Sequence, residues 1–374
     1  MNLGNGARRV ELVVDVGEDP ATGRRRQTRR RFTTVDAAIE AYSAIKGDVR
    51  KGVYVGKSDL TVRDICQQWL GGRHGVRPTT LAGYRHALKP VLSAYGMLPA
   101  QRLAKKHLDE LIKLLVAGEH ADGDGRRARP WKPRTVNLML FVLGKVLDAA
   151  VRQGVLHQNV ATGVDRLAER HEEVRTYSQA EVRRLLRVAR HDRLEHVWHL
   201  ALYGLRRGEV CGLSWQSDID FTATTLTVRE NRVLVDGSAQ SSDPKSERGK
   251  RTLPLTDALV VVLKRAQRRR RSERLRAGAS YAESGYVVVD ALGQRLSPAT
   301  ISDRWDELTR KAGVRRITLH GARHTCGTIM HLQGVPVAVI STWLGHADTA
   351  FTMRTYVHSQ PEALRSAADV LGSL

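Results

Sequence analysis

Four segments between residues 59 and 165 carry apolar side chains at helical spacing, and this run constrains the fold more than any other feature of the chain. TVRDICQQWL brings Val62, Ile65, Trp69 and Leu70 together, and PTTLAGYRHALKPVLSAYG does the same for Leu81, Tyr84, Leu88, Val91 and Leu92. KKHLDELIKLLVAG and PRTVNLMLFVLGKVLDAAVRQGVL follow, separated by the polar, Gly-rich GEHADGDGRRARPWKP. Apolar residues recurring every three or four positions turn one stripe of a helix toward a core. Four such helices joined by loops predict an independent helical domain over residues 59–165.

The flanking stretches follow different rules. Upstream, RVELVVDV and RRRQTRRRF read as two strands joined by the turn-forming GEDPATG. TVDAAIEAYSAIK then reads as a helix, with Thr34 as its N-cap and Ala38, Ile39, Tyr42 and Ile45 on one face. This makes a small module over 1–58. Downstream, the charged DRLAERHEEVRT marks a linker, set at 166–172. From YSQAEVRRLLRVA onward the pattern is helical, then stranded through TLTVRENRVLV and KRTLPLT, then helical again. The expected fold class is therefore multidomain α+β: a small β-sheet-plus-helix N-terminal module, an all-α domain, and a mainly α domain with a small β-sheet over 173–374.

Charge narrows the function. The 61 Lys and Arg exceed the 39 Asp and Glu by enough to give a net charge of +22 on 374 residues. A compact body with that excess repels itself unless a polyanion neutralises it, so nucleic acid is the first candidate partner. No apolar run approaches the roughly 20 residues that span a bilayer, and the N-terminus lacks a signal-peptide core. A chain made and kept inside a cell is expected, with no membrane partner. Cys66, Cys211 and Cys326 stand singly, with no CxxC pair, and read as small buried hydrophobes. Arg24, Arg25, Arg26, Arg29, Arg30 and Arg31 crowd the second strand, which suits a DNA groove; a solvated edge strand blunted by charge is the alternative. Arg85, Lys89, Lys105, Lys106 and Arg134 are candidates for phosphate contact on the helical domain.

Three motifs in the last stretch carry chemistry. GLRRGEVCGLSW (204–215) sets Arg206 and Glu209 three apart at a helix start. DPKSERGKRTLPL (243–255) reads as a hairpin with Lys245 at its tip. The third runs from LHGARHTC (319–326) through WLGHADTAFTMRTY (343–356), and contributes His320, Arg323, His324, His346 and Tyr356. His320 and His324 have the spacing of a zinc pair, but Gly321 stands where an HExxH metalloprotease needs its Glu base. GVYVGKS is one residue short of a P-loop, so no nucleotide site is indicated. A core histidine or a locally paired arginine accounts for any one of these residues alone, but not for the set.

A phosphodiester does account for the set. Attack on a DNA phosphate builds negative charge on its equatorial oxygens, and two arginines present planar, always-charged forks to that charge. Histidines add donors that also move a proton. A lysine on a hairpin tip is placed to protonate a departing alkoxide. Tyr356 has a phenol whose ionisation those arginines and a nearby histidine favour, which would give a covalent phosphotyrosine that keeps the bond energy for rejoining.

In this order the motifs resemble those of the tyrosine recombinases of the phage-integrase family. GLRRGE resembles the box of the first catalytic arginine, Arg206, with Glu209 as the acid that orients the site. DPKSERGKRTLPL resembles the β-hairpin box of the catalytic lysine, Lys245. LHGARHT is similar to LHDLRHT and carries over His320 and Arg323, with His324 as a supporting neighbour. WLGHAD carries over His346, and TMRTYVH the nucleophile Tyr356. Gly321 departs from the family pattern, where an acidic residue is common. The resemblance implies an arm-type DNA-binding domain with a three-stranded sheet over 1–58, of which two strands are legible, and a core-binding domain over 59–165. It further implies a catalytic domain over 173–374 whose C-terminal tail packs in cis or on a neighbouring protomer through Leu364, Ala367, Ala368, Leu371 and Leu374. Its implied activity is site-specific DNA recombination through a 3′-phosphotyrosine, integrating and excising a phage or mobile element, with no metal or other cofactor. The implied partners are double-stranded DNA at crossover and arm-type sites, a homotetramer on that DNA, a DNA-bending host factor and a directionality factor. The implied location is the nucleoid and cytoplasm of a bacterial host. A type IB topoisomerase would share the chemistry but has no use for an arm-binding module. A DNA-binding regulator would explain the charge but not the six-residue catalytic set.

Overall fold

A computed structural model describes residues 9–18, 23–51, 54–119, 129–169, 174–235, 238–242 and 249–346, with isolated positions at 353, 369, 371 and 372. Contacts divide the chain into two compact units, residues 1–170 and 171–374. Among the described residues no helix is long and apolar enough to cross a membrane.

The first unit begins with an antiparallel ribbon of β1 (Val10–Glu18) and β2 (Arg25–Phe32), in register from Val10 opposite Phe32 to Asp15 opposite Gln27. Only two strands are present in this sheet among the described residues. Helix α1 (Val35–Arg50) starts at Thr34, whose hydroxyl accepts the Ala37 N–H. Ala38 and Ile45 bury against the ribbon as expected, but Ile39 and Tyr42 are 58% and 45% exposed. The expected four-residue face is thus too broad. At about 3.6 residues per turn, Ile39 lies more than a quarter-turn round from the line through Ala38 and Ile45, and a two-stranded ribbon is too narrow to cover it. All six arginines of β2 and its approach are exposed. Arg25 pairs with Asp15 at 2.6 Å and Arg31 with Glu11 at 3.5 Å.

Helices α2 (Val62–Gly71), α3 (Pro78–Tyr95), α4 (Lys105–Ala117) and α5 (Pro133–Arg152) match the four periodic segments. Thr61 and Asp64 close a capping box at the start of α2, and Gly118 ends α4 in the left-handed conformation. Val62, Cys66, Leu88, Val91, Leu108, Leu115, Met139, Leu143 and Leu147 meet in one core. The first part of the expected linker packs back on α5. The Asn137 side-chain amide donates to the Leu167 carbonyl (2.9 Å), and its oxygen accepts the Leu167 N–H (3.0 Å). Arg85 and Lys89 lie one turn apart on the exposed side of α3, and Arg134 opens α5 exposed. Lys106 is exposed, whereas Lys105 pairs with Asp109 at 2.7 Å.

The second unit is mainly helical with two small sheets. Helices α6 (Gln179–Ala189), α7 (Glu195–Leu202) and α8 (Arg207–Gly212) precede the strands. Strands β3 (Ile219–Asp220), β4 (Thr225–Val228) and β7 (Arg251–Pro254) form an antiparallel sheet in the order β3-β4-β7. Between β4 and β7 the chain makes a separate hairpin of β5 (Asn231–Val235) and β6 (Ser238–Ser242). Helices α9 (Asp257–Ala277), α10 (Pro298–Lys311), α11 (Leu319–Leu332) and α12 (Val337–Leu344) follow. The core gathers around Trp198 and Trp305, whose rings tilt together at 5.8 Å. The Trp305 indole N–H is satisfied by the Ile317 carbonyl at 2.7 Å, so a large ring is buried without an orphaned donor. Burial pushes the thiols of Cys66, Cys211 and Cys326 up to about 12, as expected of inert buried cysteines.

Candidate active site

The site is assembled by the ends of three helices. Arg206 is the N-cap of α8, and Glu209, three residues on, reaches back to it. Its carboxylate accepts the Arg206 backbone N–H at 2.8 Å and the Arg206 Nη1 at 2.6 Å. An acid in the first turn also complements the positive end of the helix. The guanidinium of Arg206 is held from the other side by the Gly345 carbonyl, at 2.8 Å from Nη2.

Helix α11 begins at Thr318, whose hydroxyl accepts the Gly321 N–H. Its first turns carry His320, Arg323 and His324. Gly321, the departure from the family pattern, sits tightly packed: a Cβ there would lie 3.0 Å from that of Ile317, which would have to give by a few tenths of an ångström. Arg323 is 1% exposed. It donates through Nη1 to the Gly204 carbonyl (2.7 Å) and through Nη2 to the Leu344 carbonyl, and its Nη1 lies 3.8 Å from Glu209 Oε2. Gly204 is required here. Its φ is +97°, and a Cβ would meet Leu344 at 2.8 Å and the Cys326 sulfur at 3.2 Å.

The three histidines cluster on the same arginines. The rings of His320 and His324 meet edge to face at 4.6 Å. His346 follows the end of α12 and is buried, with its backbone N–H on the Ser341 carbonyl. Burial, reinforced by Arg323 and Arg206, pushes His346 down to about 3. Burial, His320 and Arg323 push His324 to about 4. His320 reaches solvent, yet its partial burial and the Arg323 and Arg206 charges lower its pKa too, against an opposing pull from Glu209. All three rings therefore enter neutral solution as the free base. Burial alone would raise the Glu209 pKa, but the charges of Arg251, Arg206 and Arg323 outweigh it and hold the carboxyl at about 2.

The structure thus brings together Arg206, Glu209, His320, Arg323, His324 and His346. Lys245 and Tyr356 lie outside the described residues. The strands on either side of the Lys245 segment pair elsewhere, β6 with β5 and β7 with β4. The tail positions named in the sequence also lie outside, except Leu371, which is 71% exposed. Among the described residues no group of three His, Cys, Asp or Glu side chains is arranged to hold a metal ion.

Arg251 belongs to the site although its sequence drew no notice. It lies at the start of β7 and donates through both Nη atoms to Glu209, at 3.0 and 3.2 Å, and through Nε to the Trp343 carbonyl at 2.6 Å. The signal was the phase of the strand. Leu253 is buried, so residue 251, two positions earlier, faces the same interior and needs a carboxylate there.

Comparison with known proteins identifies the family. A family model described as the phage integrase family matches residues 175–363, half of the chain. The chain belongs to that family. It is 26% identical to a tyrosine recombinase XerC-like protein of Caldanaerobacter subterraneus subsp. tengcongensis, over 99% of this chain and 97% of the relative. It is 22% identical to the ICEBs1 integrase of Bacillus subtilis, over 100% and 98%. Among solved structures, the Tn1549 transposon integrase in complex with transposon right end DNA superposes with a TM-score of 0.66 at 17% identity, covering 83% of this chain and 99% of that one. A lambda integrase dimer bound to a COC′ core site superposes at 0.58 with 16% identity, covering 90% of each. The mainly helical fold with small sheets is that of the tyrosine recombinases.

Proposed function

We propose that this chain is a site-specific DNA recombinase, an integrase that moves a phage or other mobile element by cutting and rejoining DNA through Tyr356. The observation that carries this reading is the convergence of Arg206, Arg323, His320 and His346 around one buried carboxylate, Glu209. The charges of Arg206, Arg323 and Arg251 against that single acid leave the site net positive, which suits an anion that gains charge as it reacts. Duplex DNA as the partner follows from the DNA-bound integrases that share the fold and from the net charge of +22.

In this mechanism the Tyr356 oxygen attacks the scissile phosphorus, a P–O bond to the phenol forms, and the bond to the 5′ oxygen breaks. His320, neutral in the free protein, accepts the phenol proton. Lys245 gives a proton to the departing 5′ oxygen, and Arg206, Arg323 and His346 hold the phosphate oxygens. The free 5′-hydroxyl of a partner strand then attacks the 3′-phosphotyrosine and releases Tyr356. Residues 1–58 serve as the arm-type DNA-binding domain, 59–165 as the core-binding domain and 173–374 as the catalytic domain, with four protomers acting on paired crossover sites. A DNA-bending host factor and a directionality factor assist.

The test uses nicked duplex fragments from either side of the chain's own gene, incubated in EDTA with the protein and with Tyr356→Phe. A protein–DNA adduct on a denaturing gel that depends on Tyr356 is expected. Binding without any adduct would overturn the reading in favour of a DNA-binding regulator.

A further inference from the structure

We propose that Arg251 is a positioning residue for strand cleavage: it locks the Glu209 carboxylate and the end of α12 in the one arrangement that presents Arg206 and His346 to the scissile phosphate. The proposal rests on the recombinase reading above and adds to it a residue that neither binds DNA nor moves a proton.

The geometry at Glu209 is fully subscribed. Oε1 accepts Nη1 of Arg206 (2.6 Å) and Nη1 of Arg251 (3.2 Å). Oε2 accepts the Arg206 backbone N–H (2.8 Å) and Nη2 of Arg251 (3.0 Å). Four donors fill the roughly four acceptor sites of a carboxylate, so it has one stable orientation while Arg251 is present. The charged and titratable groups that face it are Arg206 from the start of α8, Arg323 and His320 from α11, and Arg251 from β7. Without Arg251 the carboxylate loses half of its bonds; Arg206 still holds it at 2.6 Å, and the next cation is Arg323, 3.8 Å away. Turning toward Arg323 would draw the Arg206 fork with it.

The second anchor is at the end of α12. Three consecutive carbonyls there each take a different arginine: Trp343 takes Arg251, Leu344 takes Arg323 and Gly345 takes Arg206. These are the acceptors that a helix C-terminus leaves unpaired, and cations at that end also meet its negative pole. Arg251 therefore ties β7, α8 and the last turn of α12, three residues before His346, together. Its side chain is 6% exposed, against 36% for Arg206, so it is enclosed by protein where Arg206 opens to a ligand.

Lysine in place of Arg251 keeps the charge but cannot span two carboxylate oxygens and a carbonyl at once. With the nicked fragments in EDTA and protein in excess, Arg251→Lys should form the Tyr356 adduct more slowly by on the order of 100-fold, while its affinity for the same fragments stays within about twofold of the parent. Arg251→Met should be slower still. Glu209→Gln and the double variant Glu209→Gln/Arg251→Lys should cleave at nearly equal rates, because both changes act through the same carboxylate. An Arg251→Lys rate equal to that of the parent, an equal loss in affinity and rate, or losses that multiply in the double variant would each overturn the proposal. A parent protein that forms no Tyr356-dependent adduct removes the recombinase reading itself. A parent adduct with an unaffected Arg251→Lys removes only the role of Arg251.

Discussion

His196, on α7, folds as a neutral ring: it is buried, its Nε2 lies 3.2 Å from the Val287 carbonyl, and burial pushes its pKa down to about 4. In the unfolded chain the same ring takes up a proton near pH 6.5, so between the two values the unfolded state binds more protons and folding weakens as the solution is acidified. That linkage removes roughly 2 kcal/mol of stability between pH 7 and pH 5. His196→Asn, whose amide replaces the donor to Val287, should melt with a smaller difference between pH 7 and pH 5 than the parent. An equal difference would refute the assignment. Gly204→Ala should cost more than about 1 kcal/mol from its left-handed φ and its contact with Leu344, and should slow adduct formation as well, because the Gly204 carbonyl holds Arg323. Residue identity alone made Arg206, Glu209, His320, Arg323 and His346 legible, since arginines and histidines spaced along short motifs have few other uses together. It did not expose Arg251, whose meaning comes from a strand phase and a carboxylate 42 positions away. Nor did it expose how much of Arg323 is spent on main-chain carbonyls.

Helices were the elements most openly written in the chain. The α2–α5 segments follow their apolar spacing, and Thr34 caps α1 as expected, while Thr61 caps α2 in the same way without having been singled out. Helix α1 was read too generously because spacing shows which side chains share a face, but not how wide a partner that face will find. The stretch after α5 reads as a linker from its polarity, and the boundary between the two units falls within it. Its first part is nonetheless held, since Leu167 is clasped by Asn137, which is itself buried. Asn137→Ala leaves that clasp unmade and should destabilise the protein by about 1–3 kcal/mol. Trypsin should then cut at the exposed Arg166 faster than in the parent, as followed by a digestion time course. An unchanged digestion rate would show that the clasp does not hold the segment.

For the whole molecule, the excess of 61 basic over 39 acidic residues makes affinity for DNA a function of salt. Each phosphate neutralised releases condensed counterions, so log K falls linearly with log salt concentration. If Arg85 and Lys89 both meet phosphates from their shared side of α3, then Arg85→Gln/Lys89→Gln should reduce the magnitude of that slope by about 2. Fluorescence anisotropy over a salt series measures it, and an unchanged slope would place both residues off the DNA face. The ion pairs of Arg25 and Arg31 with Asp15 and Glu11 are exposed and contribute little to stability, so they give way readily to a phosphate.

The row of carbonyls at Trp343, Leu344 and Gly345, together with that of Gly204, also bears on how such a site endures mutational drift. A carbonyl is the same whichever side chain its residue carries. Where these arginines grip main chain they place no demand on the side chains of Trp343, Leu344 and the neighbours of Gly204, and among their partners only Glu209 must keep its side chain. The constellation can be inherited as a shape while the letters around it change, and at 17% identity this chain and the Tn1549 transposon integrase still share a fold.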